Sequence, residues 1–273
     1  MRAVAPDRAL AAVPPAPALA PSAPARVSSA PALAPDAPGV LALLGGAEHR
    51  APCAGIDRWL LERVGHGGAR VVVIPAASSA SGMPLTAALA RNHWTALGAR
   101  VTVVSPRAAP AARAHDALAA ADIVVLTGGV PGRLVRALGA SPLWERVLER
   151  WRAGAILAGS SAGAMALCTW RLALRAPHPL RPVPGLGPLD GHVCVPHFER
   201  FVRPLPTLHP WVRRVARDLP GAGIIGVDEA TALVVDGARW HVLGNGAVTI
   251  VDGAGWRTVP AGHVVAPAHA LAA

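Results

Sequence analysis

The sequence predicts an α/β fold of three layers, with a mostly parallel sheet and helices on both of its faces. Three observations point there. From Gly39 to Ala158, short apolar runs alternate with segments of helical spacing. The runs are continuously apolar rather than alternating, which suits strands buried on both faces. Several of them end in glycine-rich turns, and in open parallel sheets ligands bind at that carboxyl edge.

Residues 1–38 stand apart from this pattern. They are mostly Ala and Pro with few large apolar side chains, so they cannot bury enough surface to offset their chain entropy. A disordered tail is expected. Prolines interrupt every stretch that would serve as a secretory core. Residues 39–273 then read as one α/β domain.

Within that domain, Val40–Leu44 predicts a first strand ending in Gly45-Gly46. Ile56–Val64 has helical spacing. Arg70–Ile74 is a second strand, closed by Pro75 and the small polar run Ser78–Ser81. Pro84–Leu97 reads as a helix that Gly98 stops. Val101–Val104 is a third strand. Ala111–Ala121 is an alanine-rich helix with a break expected near Ala114-His115. Asp122–Leu126 is a fourth strand, running into Gly128-Gly129. Pro131–Leu138 and Leu143–Trp151 are helical, and Ala155–Ala158 is a fifth strand.

The last third changes character. His192–Pro196 and Ile224–Val227 still read as core strands. Ala232–Val235, Trp240–Leu243, Val248–Val251 and Thr258–Val259 are separated by Asp-Gly, Gly-Asn-Gly and Asp-Gly-Ala-Gly turns. They predict a small antiparallel hairpin region near the C-terminus.

Composition narrows the function classes. All 26 basic residues are arginines, and the formal net charge is +10. The arginines are spread along the chain without an Arg/aromatic cluster, so nucleic-acid binding is not expected; a weakly basic surface or a site for acidic substrates suits the charge better. No apolar run is long enough to span a bilayer. The three cysteines, Cys53, Cys168 and Cys194, are odd in number and widely spaced. They form no disulfide framework, and a reducing cytoplasm is the expected location.

The chemistry starts at Gly159-Ser160-Ser161-Ala162-Gly163-Ala164. A serine framed by small residues, directly after a strand, fits a strained strand-to-helix elbow that exposes a hydroxyl beside free N–H groups. Such a serine needs a base, and the base needs an orienting partner. His197 follows the strand-like His192–Pro196 and is the best base. Asp228 and Glu229, just after Ile224–Val227, are the acid candidates. Asp190 reads better as a turn residue. Ala162 would supply one oxyanion donor, and the Thr127-Gly128-Gly129 turn another.

With these residues assembled, the chain resembles peptidase family S51, the peptidase E and cyanophycinase group of the class I glutamine amidotransferase-like fold. The resemblance is carried by Leu44-Gly45-Gly46-Ala47-Glu48, Leu126-Thr127-Gly128-Gly129, Gly159–Ala164, His197-Phe198-Glu199-Arg200, Gly226–Ala232 and Val242-Leu243-Gly244-Asn245-Gly246, in that order. It implies Ser161 as nucleophile, His197 as base, Glu229 as orienting acid, Gly128, Gly129 and Ala162 around the oxyanion, and small acidic or Asp-containing peptides as substrates. After the two glycines the chain has Val130-Pro131, where that group carries polar substrate-binding side chains. Nothing in the implied chemistry calls for a metal or an organic cofactor. The expected partners are a small peptide substrate and a second copy of the chain in a homodimer.

Three rival arrangements are written in the same residues. An α/β-hydrolase order would use Ser161, Asp228 and His263, with Gly65-His66-Gly67-Gly68 as oxyanion loop. That loop precedes a strand rather than following one. A metal site would draw on His192, Cys194 and His197, three residues without a fourth. A non-catalytic binding protein on the same fold is the last alternative.

Overall fold

The computed structural model describes residues 39–106, 111–139, 141–173, 180–218, 223–252 and 255–265. The Ala/Pro-rich segment 1–38 lies outside the described residues. Five parallel strands form one side of the first sheet, out to its edge at the third strand. They are β1 (Leu41–Leu44), β2 (Arg70–Ile74), β3 (Arg100–Val103), β4 (Ile123–Leu126) and β5 (Ile156–Ser160), side by side in the order β1-β5-β4-β2-β3.

The crossovers are α1 (Ala54–Val64), α2 (Met83–Ala96), α3 (Ala111–Ala119) and the pair α4 (Pro131–Gly139) and α5 (Pro142–Arg152). α3 runs without the break expected at Ala114-His115. α5 starts cleanly because the Ser141 hydroxyl accepts from Leu143 N and Pro142 needs no N–H partner.

Strand side chains alternate between two cores. Ala42, Leu44, Val71, Val73, Ile123, Val125, Ile156 and Ala158 pack against Ile56, Trp59 and Leu60 of α1 and Trp94 of α2. Leu41, Leu43, Val72, Ile74, Val124, Leu126 and Leu157 face the other way, onto Leu118 of α3, Leu134 and Leu138 of α4 and Leu143 and Val147 of α5. Both faces are therefore covered, which is why the strands read as unbroken apolar runs.

Beyond β5 come α6 (Ala162–Ala166), β6 (Cys168–Leu172), β7 (Pro182–Pro184), β8 (Leu189–Pro196), α7 (Phe198–Phe201), α8 (His209–Asp218) and β9 (Ile224–Val227). The chain ends in β10 (Thr231–Asp236), β11 (Arg239–Gly244), β12 (Ala247–Asp252), β13 (Gly255–Pro260) and β14 (Val264–Val265). Here the structure departs from the simplest sequence expectation. β8 and β9 do not extend the first sheet. They sit in a second one, ordered β13-β12-β9-β8-β6-β7, with β6, β8 and β9 parallel.

The C-terminal hairpins are present and are shared out. β10 and β11 add antiparallel to β1, while β12 and β13 add antiparallel to β9. The second sheet gives Cys194, Ile225, Val227, Val248 and Ile250 to the core it shares with the first. Its other face carries Val193, Val195, Ile224 and Val251, covered by Phe198 and by Val212 and Val215 of α8. Among the described residues, no helix is long and apolar enough to cross a membrane.

Candidate active site

Three neighbouring strands of the first sheet, β1, β5 and β4, end in line: Leu44 pairs with Ser160, and Leu126 with Gly159. Their turns therefore meet at one edge. β5 passes straight into α6 through Ser161, whose φ of 49° and ψ of −107° lie outside the common regions for a non-glycine residue. The backbone is held there by Ser161 N donating to Leu44 O (2.9 Å) and Met165 N donating to Ser161 O (3.0 Å). Both glycines of the elbow are sterically required. A Cβ on Gly159 would come within 2.5 Å of the Gly163 carbonyl carbon, and one on Gly163 would run into Leu126 O.

The partner residues arrive from the second sheet. His197 follows β8, and Asp228 and Glu229 follow β9. The Gly45-Gly46 turn after β1 stitches these loops to the first sheet: His197 N donates to Gly45 O (3.0 Å), Ala230 N to Gly46 O (3.3 Å) and Gly45 N to Thr231 O (3.0 Å). Side chains on this turn have no room. A Cβ on Gly45 would meet the backbone of Val227 and Asp228, and one on Gly46, at φ 140°, would meet the His197 ring. Beneath the turn, the buried Cys53 thiol donates to Ala47 O (3.1 Å). Burial, with the charges of Asp57, Glu48 and Glu229 behind it, pushes that thiol up to about 12, so it stays a neutral donor.

The sequence-predicted residues converge as follows. Ser161 Oγ lies 3.1 Å from His197 Nε2, and His197 Nδ1 lies 2.8 Å from Glu229 Oε1. A carboxylate on Nδ1 fixes that nitrogen as the N–H donor, which leaves Nε2 free to accept the serine proton. Arg200 Nη1 donates to the same Glu229 oxygen at 2.8 Å, and Glu229 N donates to Glu199 Oε2 at 3.0 Å. Asp228 is elsewhere. It is 4% exposed, takes two hydrogen bonds from Arg203 (2.8 and 3.0 Å) and one from Ala247 N (2.9 Å), and makes no hydrogen bond with His197.

Gly128 and Gly129 have different situations. Gly128 N donates to Glu48 Oε1 at 2.8 Å, so this N–H is already committed. The other carboxylate oxygen of Glu48 accepts from Ser160 Oγ at 2.8 Å. Glu48 thus ties the turn after β4 to the elbow after β5, and a Cβ on Gly128 would lie 3.4 Å from Ser161 Cβ. Gly129, at φ 137°, is pressed against Ala77, where a Cβ would come within 2.5 Å of Ala77 O. Among the described residues, its N–H and that of Ala162, the first residue of α6, are donors left over beside Ser161. Glu48 and Arg200 were quoted in the sequence motifs without a role. Only their partners, far away in the chain, reveal what they touch.

A family model describing peptidase family S51 matches residues 41–243. The chain belongs to this peptidase family. Among solved structures, the crystal structure of a peptidase from an acI-B1 actinobacterium matches the S51 chain at 28% identity and a TM-score of 0.73, covering 85% of this chain and 98% of that one. A putative peptidase E protein from Listeria monocytogenes EGD-e, at 16% identity and a TM-score of 0.50, covers 81% of this chain and 98% of its own and supports the fold alone. Among curated proteins nothing matches.

The rival arrangements are not assembled in this S51 peptidase. His263 is exposed in the turn before β14, bonded to Pro260 O and Ala261 O. Gly65–Gly68 lies between α1 and the start of β2, at the amino edge of the sheet. Cys194 is fully buried, while His192 meets Trp240 edge-on and His197 faces Ser161. Among the described residues no three His, Cys, Asp or Glu side chains group as a metal site.

A cavity of about 450 Å³ opens over Ser161 and His197. Glu48, Glu229, Arg50 and Arg200 supply its charges, and Thr86 and Leu89 of α2 form a less polar wall. Its size is that of a small-ligand site.

Proposed function

We propose that this peptidase is a serine-type hydrolase that cuts small peptides through an acyl-enzyme on Ser161. The observation that carries the reading is the continuous chain Ser161 Oγ, His197 and Glu229, at 3.1 and 2.8 Å, built on an elbow with a strained serine. Ser161 Oγ attacks the scissile carbonyl carbon as His197 Nε2 takes its proton. The oxyanion is held by the N–H groups of Gly129 and Ala162. His197 returns the proton to the departing amine as the C–N bond breaks. Water then adds to the acyl-enzyme by the same route and releases the acid. Glu229 holds the imidazole tautomer and stabilises the imidazolium.

The small cavity supports a short peptide over a folded chain, and Arg50 in its lining, beside an Arg200 already bonded to Glu229, supports an acidic residue in that peptide. Three buried free thiols support a reducing, cytoplasmic setting. The reading is tested by mass-spectrometric labelling of Ser161 with a fluorophosphonate, in the wild type and in His197→Ala. Labelling that drops by at least ~10²-fold in the variant is the expected result. A wild type that resists the reagent across pH 5–9 would sink the serine mechanism.

A further inference from the structure

The first two turns of α2 are built unlike an ordinary surface helix. A helix that packs one face on a core turns charged and polar side chains outward. Residues 83–90, Met-Pro-Leu-Thr-Ala-Ala-Leu-Ala, carry no charge. Nor do they fill the core: α2 buries Ala90 and Trp94, and no residue from Met83 to Leu89. Leu85 is 65% exposed and Leu89 50%. Among the described residues, the other exposed large apolar side chains are Phe201, Leu205 and Val264. Of these, Phe201 lies edge-on against the His197 ring, with centroids 5.9 Å apart.

Helical spacing decides where this surface points. Leu85, Leu89, His93 and Thr86 fall within an arc of about 100° around α2. Three of the four have contacts that orient the arc. Thr86 and Leu89 line the cavity over Ser161. His93 meets His49, another lining residue, with ring centroids 5.8 Å apart. The arc therefore faces the cavity, and Leu85 continues it by one turn towards the amino end of α2.

Polar groups on this wall are already occupied. The Thr86 hydroxyl is shared with Ser78 Oγ (3.0 Å) and Gly82 O (3.2 Å). His93 Nε2 is held by Asp57 at 2.6 Å. The His49 ring is neutral at pH 7, because burial lowers it from 6.5 to about 4. The charges of the cavity, Glu48, Arg50, Arg200 and Glu229, come from the turn after β1, from α7 and from the turn after β9. A bound peptide thus meets ionic groups from those elements and an uncharged leucine surface from α2. Covering that surface releases free energy in proportion to the apolar area removed from water.

We propose that Leu85 and Leu89, with Thr86 between them, form an apolar subsite that receives a large aliphatic or aromatic side chain of the substrate peptide. The proposal rests on the peptidase reading of Ser161 and adds a second element to its substrate. The occupant is the substrate because the leucine surface is continuous with the cavity that holds the serine. Thr86, Leu89 and Ser161 line one cavity of about 450 Å³. Such a volume is on the order of 10 Å across, the reach of two or three extended residues. The side chain held on α2 therefore belongs to a residue within about two positions of the bond that is cut. With an acidic group towards Arg50, the preferred substrate is a short peptide that is charged at one residue and apolar at another.

The test uses the full chain and synthetic tripeptides that each contain one Asp, with either Leu or the near-isosteric Asn at one other position. Consumption is followed by mass spectrometry, and the product masses place the Leu relative to the cut bond. Fluorophosphonate labelling of wild-type Ser161 is run in parallel. The expected result is a kcat/KM at least about tenfold higher for Leu than for Asn at one position, the discrimination that an apolar pocket supplies. In Leu89→Ser that ratio should fall to within about threefold, while Leu89→Met, which keeps an apolar surface of similar size, should preserve it. Both leucines are exposed, so their replacement leaves the core intact, which circular dichroism checks. A ratio near one in the wild type, or a ratio that survives Leu89→Ser, overturns the proposal. So does a wild type that labels and cuts no member of the set. A wild type that is a dimer in solution, with Leu89→Ser a monomer, assigns the leucine surface to a second copy of the chain and overturns the subsite as well. Absent labelling in the wild type instead removes the serine mechanism on which the subsite rests.

Discussion

Gly46 lies so close to His197 that no side chain fits between them: a Cβ on Gly46 would collide with the imidazole at Cε1 and Nδ1. The glycine also has φ 140°, a conformation that costs any L-residue free energy. Gly46→Ala should therefore displace the His197 ring from Ser161 while the two sheets stay formed. We expect the fluorophosphonate labelling rate to fall by about 10²-fold or more, a misplacement effect of the size that a shift near 1 Å produces. Circular dichroism should remain that of the wild type. A variant that labels normally would show that the ring has freedom to move aside.

Asp228 and Glu229 are adjacent in sequence and separate in role. Glu229→Gln should cut Ser161 labelling strongly, since the amide cannot stabilise a His197 cation as a carboxylate does. Asp228→Asn should leave labelling within about threefold and lower stability by about 1–3 kcal/mol, through the weakened hydrogen bonds to Arg203 and Ala247 N. Labelling rate and urea midpoint, measured on both variants, check the assignment. The reverse pattern would make Asp228 the orienting acid.

Glu48 spans 80 residues to Gly128 and 112 to Ser160 with one carboxylate. Glu48→Ala releases both, and leaves the Gly128 N–H and the Ser160 hydroxyl to find other partners beside Ser161. Loss of two hydrogen bonds to a charged acceptor is worth about 1.5–3 kcal/mol each when buried. We expect a tenfold or larger drop in labelling together with a lower thermal midpoint. Glu48→Gln, which retains one acceptor, should fall between the variant and the wild type.

His49 predicts a pH effect on stability. Burial lowers its imidazole from 6.5 to about 4, with Glu48 pulling up and His93 pushing down by smaller amounts. Both ring nitrogens are buried without a partner. Between about pH 6.5 and 4 the unfolded chain takes up a proton that the folded one refuses. Stability is therefore complete above this window and falls as the pH drops through it, by on the order of 3 kcal/mol in total. Urea midpoints from pH 7 to 4.5 should decline more steeply for the wild type than for His49→Gln. Parallel curves would rule out this histidine as the source.

The parallel half of the molecule was legible because strands covered on both faces leave continuous apolar runs, and Arg70–Ile74 and Ile224–Val227 match to the residue. The elbow was legible for a steric reason, as Gly159 and Gly163 admit no substitute. Sheet membership was not. An apolar run such as Val193-Cys194-Val195 reports that it is buried, and carries no mark of which sheet it joins. β6 escaped notice because Thr169, Trp170 and Arg171 are only partly buried and interrupt its apolar pattern. The choice between Asp228 and Glu229 depends on which way each side chain leaves a short turn, and two neighbouring acids give no hint of that. Glu48 was invisible as a functional residue because its partners lie in two other strand-end turns.

The Gly45-Gly46 turn gives the molecule a built-in gauge. Ser161 is carried by one sheet and His197 and Glu229 by the other, and this turn bonds to the loops of the second sheet within two residues. The reactive distance between serine and imidazole is thus a ruler laid across the seam between the sheets. A slip along that seam of little more than 1 Å would silence Ser161 while every strand remained paired. Reactivity at one hydroxyl then reports on the docking of two halves, and declines earlier in denaturant than any spectroscopic measure of secondary structure.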